Sequence, residues 1–187
     1  YIPNPAVYDR VEKKVYLCTK NGLTVSTDLG ATFNPETNWS PNPPANNLNM
    51  RSLTQLDNGT LYLMGDSANQ YYKQGTGNWT LVAPTTTLPR DTIWYVSHSH
   101  DTLFAIDFYN KSGVYYSVNL GVDWKACTGL PKNKEILFGN RPFGSEAFYV
   151  GLDSGGLYRL NGTTFQSTGA GIPWWANLRQ RRLLQCR

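Results

Sequence analysis

The sequence predicts an all-β protein made of four copies of one small antiparallel sheet. Aromatic residues form 13% of the 187 residues, and the chain contains 17 Gly and 11 Pro. Aromatic and β-branched residues favour strands, whereas Gly and Pro mark the turns between them. No apolar run approaches the roughly 18 residues that a membrane helix needs, and the aromatic content is too high for a disordered chain.

Two markers recur about every 45 residues, a period typical of a repeated structural unit. One marker is an apolar strand core, and the other is an aromatic residue at the end of a small polar turn. Because two separate markers keep one period, we infer four repeats. The cores are Val15–Leu17, Leu61–Leu63, Leu103–Ala105 and Phe148–Val150, and the aromatic residues are Phe33, Trp79, Trp124 and Phe165.

Each repeat contains four short runs of strand-forming residues separated by turn signals. Four antiparallel strands in about 45 residues are typical of one blade of a β-propeller, in which blades pack face to face around an axis. We therefore predict a β-propeller of four four-stranded antiparallel blades. The propeller covers residues 1–175, with blades at approximately 3–40, 48–83, 91–129 and 135–168, and a basic tail follows at 176–187.

The polar turns before two of the aromatic residues share a motif. Residues 26–33 read Ser-Thr-Asp-Leu-Gly-Ala-Thr-Phe, and residues 117–124 read Ser-Val-Asn-Leu-Gly-Val-Asp-Trp. Both turns resemble the Asp-box, or BNR repeat, of the propeller superfamily that includes sialidases, sortilin-like receptors and xyloglucan-cleaving enzymes. The second turn departs from the pattern by carrying Asn119 and Asp123 at the Asp and Thr positions. The box residues are Ser26, Asp28, Gly30, Phe33, Ser117, Asn119, Gly121 and Trp124.

The resemblance implies that the boxes are folding elements. A short Asp or Asn side chain accepts hydrogen bonds from its own turn, Gly permits a positive φ, and the aromatic residue packs against a neighbouring sheet. In the superfamily the boxes lie on the face opposite the ligand site. We therefore expect no catalytic role for Asp28 or Trp124, although they are the most recognisable residues.

Four blades leave three arrangements open. We favour a compact four-bladed disc, which resembles hemopexin-like domains in size. A homodimer could instead complete an eight-bladed ring, or the chain could be a four-blade portion of a larger propeller. By analogy with hemopexin-like domains, a Cys18–Cys186 disulfide would clasp the disc; the alternative is that Cys18 is a small buried apolar residue.

A candidate ligand site lies at the end of the blades opposite the boxes, which we call the top end. It carries the loops between second and third strands and the links into each blade. Charged residues there could bind a polar ligand such as a glycan, or an ion in the axial channel, although a solvated rim explains them as well. Loop Trp residues could stack on sugar rings or pack between blades. The predicted ligand-binding residues are Arg51, Asp66, Arg90, Asp107, Asp153, Trp39, Trp174 and Trp175.

The sequence favours a non-catalytic binding module over an enzyme. Sialidases need an arginine cluster and a Tyr–Glu pair, and the Arg-Ile-Pro context of that family is reduced here to Tyr1-Ile2-Pro3. Asp66 and Asp153 could form a xyloglucanase-like carboxylate pair, so a glycoside hydrolase remains an alternative. A receptor or scaffold that binds protein ligands is the other alternative.

We expect no cofactor, and His98 and His100 lack the further ligands of a metal site.

The net charge of the chain and its glycosylation sequons indicate which class of partner to expect. The net charge of +4 resides in the tail, because Arg179, Arg181, Arg182 and Arg187 account for it, so no nucleic-acid partner is expected. Asn-x-Ser/Thr sequons favour a secreted glycoprotein whose partner is an extracellular glycan or protein. The predicted glycosylation sites are Asn38, Asn58, Asn78, Asn110 and Asn161.

Overall fold

The described part of the chain consists of strands and turns. The computed structural model describes residues 5–41, 49–65, 69–86, 88, 93–107, 113–142, 144–153 and 156–168. Within these ranges there is no helix, and the strands form four separate antiparallel sheets in chain order. The predicted all-β class and the four repeated sheets are therefore confirmed.

Each sheet is built from consecutive strands. The first sheet contains β1 (Ala6–Asp9), β2 (Lys14–Thr19), β3 (Gly22–Ser26) and β4 (Asn34–Pro35). The second contains β5 (Trp39–Ser40), β6 (Met50–Gln55), β7 (Leu61–Gly65), β8 (Gln70–Lys73) and β9 (Trp79–Leu81). The third contains β10 (Ile93–Ser99), β11 (Thr102–Asp107), β12 (Gly113–Ser117) and β13 (Lys125–Ala126). The fourth contains β14 (Ile136–Asn140), β15 (Tyr149–Leu152), β16 (Gly156–Asn161) and β17 (Thr164–Ser167).

The second sheet has one strand more than predicted. The chain leaving the first sheet forms β5, which pairs in parallel with β9 through Trp39 opposite Trp79. The same path recurs before the fourth sheet, where Thr128 forms a parallel bridge to Thr164. Each of these connections supplies hydrogen bonds to an outer edge that would otherwise be unpaired.

Side-chain alternation along the second strand of a sheet decides which neighbouring sheet each residue contacts. In β7, Leu61 and Leu63 join the apolar cluster shared with the first sheet, whereas Tyr62 and Met64 join the cluster shared with the third. All five residues of β7 are buried. A sheet with neighbours on both sides thus reads as a continuous apolar run.

The four sheets form an open arc. The first strands carry the packing: β1 and β2 lie against β6, β6 against β10, and β10 against β14. Among the strands described, no comparable packing joins the fourth sheet to the first. The described strands thus form a row of four stacked blades, the number that the sequence predicts.

Buried polar links connect the first two sheets at the end that carries the boxes, which we call the box end. The Arg10 side chain donates to Gln55 Oε1 at 2.9 Å and to the Leu56 carbonyl at 2.8 Å. Gln55 Nε2 in turn donates to Asp9 Oδ1 at 2.7 Å. Asp9 and Gln55 are both buried, so these bonds satisfy groups that would be costly to leave unpaired.

An ion pair crosses the same interface. The Lys73 ammonium, only 2% exposed, donates to Glu12 and to the Gly75 carbonyl. Glu12 also accepts from Lys14 at 2.9 Å. Burial alone would raise the pKa of Glu12, but the hydrogen bonds and charges of Lys73 and Lys14 outweigh it and lower the pKa below its usual value.

We expect Glu12→Gln to cost about 3–5 kcal/mol of unfolding free energy at pH 7, because it leaves the Lys73 charge buried without its carboxylate. The stabilisation from Glu12 is present above its unfolded pKa and is lost as the pH falls through the lower folded pKa. The deficit of the variant should therefore shrink below about pH 4 in chemical denaturation. Lys14→Gln is the control and should cost under about 1 kcal/mol, since Lys14 is partly exposed; equal costs would contradict this account.

Candidate functional site

The predicted ligand-binding residues that are described lie at the top end, apart from Trp39. Arg51 is half-buried in β6, Asp107 is fully buried at the end of β11, and Asp153 is exposed directly after β15. Asp66, Arg90, Trp174 and Trp175 lie outside the described residues. Asp107 is buried whereas Arg51 and Asp153 keep solvent access, and the ligand-binding role of all three stays a prediction.

A β-bulge recurs at the top end of three inner strands, a feature that the sequence analysis does not predict. The register shifts between Met50 and Ser52 in β6, between Ile93 and Tyr95 in β10, and between Ile136 and Phe138 in β14. The unpaired residues are Arg51, Trp94 and Leu137. Bulges redirect the chain and are over-represented beside functional sites, and the bulge in β6 falls on Arg51.

Asp107 is enclosed by the start of β12. A Cβ added to Gly113 would lie 3.0 Å from the Asp107 Cβ and 3.1 Å from the Tyr115 ring, so glycine permits this close approach. Burial raises the pKa of Tyr115, and the Asp107 charge raises it further. Asp107 therefore shapes the strand end that frames the site.

Trp39 packs within the protein. Its ring lies 5.1 Å from the Tyr71 ring and 5.8 Å from the Trp79 ring, measured between centroids. Its indole N–H donates to the Glu36 carbonyl at 2.8 Å. Its half-buried ring thus anchors β5 to the second sheet, and the stacking role predicted for it stays a prediction.

The first box has a complete hydrogen-bond pattern. Asp28 Oδ1 accepts from the Ser26 hydroxyl at 2.6 Å and from the Thr32 backbone N–H at 2.9 Å, and Oδ2 accepts from the Thr32 hydroxyl at 2.6 Å. Ser26 Oγ accepts from the Gly30 backbone N–H at 2.8 Å. These bonds to Ser26 and Thr32 lower the pKa of Asp28 to about 2.

The second box keeps the hydrogen-bond geometry of the first box, but its carboxylate belongs to Asp123 and the Asp position holds the neutral Asn119. Asn119 Oδ1 accepts from the Ser117 hydroxyl and from the Asp123 backbone N–H, both at 2.9 Å. Asn119 Nδ2 then donates to Asp123 Oδ2 at 2.9 Å, which reverses the side-chain bond of the first box. Hydrogen bonds from Thr85 and Asn119 lower the pKa of Asp123. Asn119 and Asp123 are thus complementary replacements.

The second box also locks the second sheet to the third. Trp124 Nε1 donates to Gln70 Oε1 at 3.0 Å, and the Tyr62 hydroxyl donates to the same oxygen. A Cβ on Gly121 would overlap the Tyr62 hydroxyl and Gln70 Oε1. Gly121 therefore meets two requirements, a positive φ of 80° and close packing.

The two histidines form polar contacts between neighbouring blades at the box end. His98 Nδ1 lies 2.7 Å from Thr54 Oγ1, and its Nε2 lies 3.6 Å from Asp57 Oδ1. Arg141 donates to both Asp57 oxygens at 2.8 Å. Burial lowers the pKa of His98, and Asp57 only partly opposes this. His100 pairs separately with Glu146 at 2.6 Å.

Nothing in the described ranges groups three or more His, Cys, Asp or Glu side chains as a metal site would. The residues described also include no helix long and apolar enough to cross a bilayer. Cys18 is buried in β2 as a free thiol, and burial raises its pKa to about 12. Cys186 lies outside the described residues, so the proposed disulfide stays a prediction.

Four predicted glycosylation sites are solvent-exposed: Asn38, Asn58, Asn78 and Asn161. Asn110 lies outside the described residues. Asn58 Oδ1 accepts from the Thr60 backbone N–H, and Thr60, the sequon hydroxyl, is only 4% exposed. Asn38 and Asn78 are neighbours, because the Trp79 N–H donates to the Asn38 carbonyl at 2.8 Å.

Antiparallel sheets stacked through their first strands define a β-propeller fold, and comparisons with solved structures agree. No family model matches the sequence, and no curated protein resembles it significantly. The extracellular domain of a one component system from B. thetaiotaomicron is 18% identical, with a TM-score of 0.60 over 92% of this chain and 22% of that chain. YCF48 from Cyanidioschyzon merolae is 13% identical, with a TM-score of 0.59 over 92% of this chain and 59% of that chain.

A GH74 xyloglucanase from Xanthomonas campestris has the same fold. It is 13% identical, with a TM-score of 0.62 over 90% of this chain and 30% of that chain. The chain thus spans between 22% and 59% of the length of these three structures. Identities this low establish the fold alone.

Substitutions at positions 119 and 123 test whether Asn119 and Asp123 of the second box act as a complementary pair. Asn119→Asp replaces the Nδ2 donor by a carboxylate facing Asp123, so we expect the melting temperature to fall by several degrees at pH 7. Adding Asp123→Thr recreates the first box and should recover most of the loss. The penalty should also shrink at a pH low enough to protonate one carboxylate. A double variant as unstable as Asn119→Asp alone would contradict the proposed pairing.

Proposed function

We propose that the chain is a secreted, non-catalytic binding module that recognises glycans at its top end. The observation that carries this proposal is the bulge repeated at the top end of three inner strands, which includes Arg51, a half-buried residue of β6. Box turns and polar links occupy the opposite end. Stabilising contacts between sheets thus lie at the box end, and the solvent-accessible polar groups of the proposed site lie at the top end.

Arg51 and Asp153 have complementary chemistry for a sugar. A guanidinium offers a planar set of donors to hydroxyl or carboxylate oxygens, and a carboxylate accepts hydrogen bonds from vicinal hydroxyls. Asp107 is buried at the end of β11, and the proposal keeps it as the third charged residue of the top end. Trp174 and Trp175 are proposed to supply stacking faces.

Glycan binding needs fewer residues than hydrolysis does. A glycosidase holds two carboxyl groups on either side of the scissile bond. Of the proposed pair, Asp153 is exposed at the top end and Asp66 lies outside the described residues. The enzymatic alternative therefore depends on whether Asp66 and Asp153 act as such a pair, and hydrolysis of a fluorogenic sialoside and β-glucan panel tests it.

Protein recognition is the second candidate. One structure with this fold is YCF48 bound to a D1 peptide, which is 16% identical with a TM-score of 0.58 over 88% of this chain and 56% of that chain. That peptide is a ligand of YCF48, and a peptide at the top end of this chain is a proposal by analogy of fold.

A secreted location is part of the proposal. Four sequon asparagines are exposed, and solved structures with this fold include extracellular domains from B. thetaiotaomicron. The near-neutral propeller body gives no basic face for nucleic acid.

Binding to an immobilised array of β-glucans and sialosides tests the proposal. We expect Arg51→Ala and Asp153→Asn each to weaken binding about tenfold or more, because a hydrogen bond to a charged group is lost. Lys125→Ala, an exposed change on the outer strand β13, should leave binding unchanged. Absence of binding to every glycan, or binding unaffected by both top-end changes, would contradict the proposal.

A further inference from the structure

One aromatic contact repeats between consecutive sheets. Tyr16 of β2 meets the aromatic residue Trp79 of the next sheet edge-on, with ring centroids 5.7 Å apart. Tyr62 of β7 meets Trp124 in the same way at 6.4 Å. In both cases the middle residue of a second-strand core contacts the turn aromatic of the following sheet.

The third interface buries the equivalent residues. Phe104, the middle residue of the third core, and Phe165, the turn aromatic of the fourth sheet, belong to one apolar cluster. Phe104 also stacks on Phe148 at 4.2 Å. Each interface therefore has two sides. We call the side that contributes the middle core residue the donor side and the side that contributes the turn aromatic the acceptor side, without reference to hydrogen bonding.

Among the described strands, no sheet lies against the acceptor side of the first sheet. Its turn aromatic Phe33 is 39% exposed, whereas Trp79, Trp124 and Phe165 are 0%, 6% and 2% exposed. The box around Phe33 is fully hydrogen-bonded, so a poorly formed turn does not explain the exposure.

The strands beside Phe33 are open on the same side. Leu17 of β2 is only half-buried, although its counterpart Leu63 in the second sheet is fully buried. Tyr8 of β1, paired with Val15 across the strands, is 43% exposed. We call Tyr8, Val15, Leu17 and Phe33 the acceptor face.

The fourth sheet has an open donor side. Tyr149 occupies the middle core position and is only half-buried, whereas Tyr16, Tyr62 and Phe104 are at most 3% exposed. The same side of the sheet carries Phe138, which lies over Gly151, and the partly buried Leu157. We call Tyr149, Phe138 and Leu157 the donor face.

We propose that the donor face of one copy of this chain binds the acceptor face of a second copy, with Tyr149 against Phe33. The occupant is argued from continuity, because the same donor-to-acceptor contact already joins the sheets within the chain. Both halves are present on every copy, so the contact is head-to-tail. Two copies can close a ring of eight sheets if both contacts form.

The faces suit such a contact energetically. Association would remove further apolar area of both faces from water, and this burial opposes the entropy that association costs. The side chains concerned are Tyr149, Phe138, Leu157, Leu17 and Phe33. An exposed apolar patch of this kind commonly marks an interface.

Sedimentation velocity over a concentration series tests the proposal. We expect the wild-type chain to move from 21.0 kDa to twice that mass with rising concentration. Phe33→Ser and Tyr149→Ser should each weaken association at least tenfold while keeping the far-UV circular dichroism of the wild type. Val118→Ser is the control, because Val118 is 72% exposed but lies on the second box, away from both faces.

Mixing the two variants separates a head-to-tail contact from nonspecific adhesion. The Phe33→Ser copy keeps its donor face, and the Tyr149→Ser copy keeps its acceptor face. An equimolar mixture should therefore form a heterodimer through one intact contact, although neither variant dimerises alone at that concentration. A monomeric wild type at every concentration, an equal effect of Val118→Ser, or no heterodimer in the mixture would overturn the proposal.

Discussion

The structure depends on the aromatic contact between each sheet and the turn that closes the next one. Tyr62 against Trp124 shows its parts most fully. The two rings meet edge-on, both polar atoms bond to Gln70 Oε1, and Gly121 leaves room for them. Edge-to-face pairs favour the opposed charges of ring edge and ring face, and burial supplies most of the remaining stabilisation.

This contact explains why the most recognisable motif is not the candidate site. The hydrogen bonds of Asp28 and Asn119 fix the turn, and the turn delivers its aromatic residue to a neighbouring sheet. The polar links of Glu12 with Lys73, and of Asp57 with Arg141, lie at the same end. The box end thus carries both the turn motif and the polar bonds between neighbouring sheets.

The fold was predictable because its determinants are local and periodic. Leu61–Leu63 alternates toward two neighbouring sheets, and Val15–Leu17 and the other two counterparts repeat the same three-residue apolar pattern. The role of Trp124 also followed from the sequence, since a turn motif places it. The packing of Trp39 did not, because a Pro- and Asn-rich link gives no sign that it will add a strand beside β9.

The residues of the candidate site were harder to predict, because their burial and pairing depend on details of strand register. Asp107 and Asp153 occupy similar places after second-strand cores, yet one is fully buried and the other exposed. Asp107 is the last residue of β11 and pairs with Gly113, whereas Asp153 lies one residue beyond the end of β15, an offset that the repeat spacing does not reveal. The bulge at Arg51 is likewise a departure from regular pairing and follows no residue preference visible in the sequence.

The most direct test of the central claim compares two residues with the same sequence role and different burial. Trp79→Ala and Phe33→Ala are measured by chemical denaturation at a concentration where the chain is monomeric. Because Trp79 is 0% exposed in an interface and Phe33 is 39% exposed outside one, we expect the first to cost about 3–5 kcal/mol and the second under about 1 kcal/mol. Equal costs would contradict the claim that contact between sheets, and not the turn itself, gives the aromatic residue its importance.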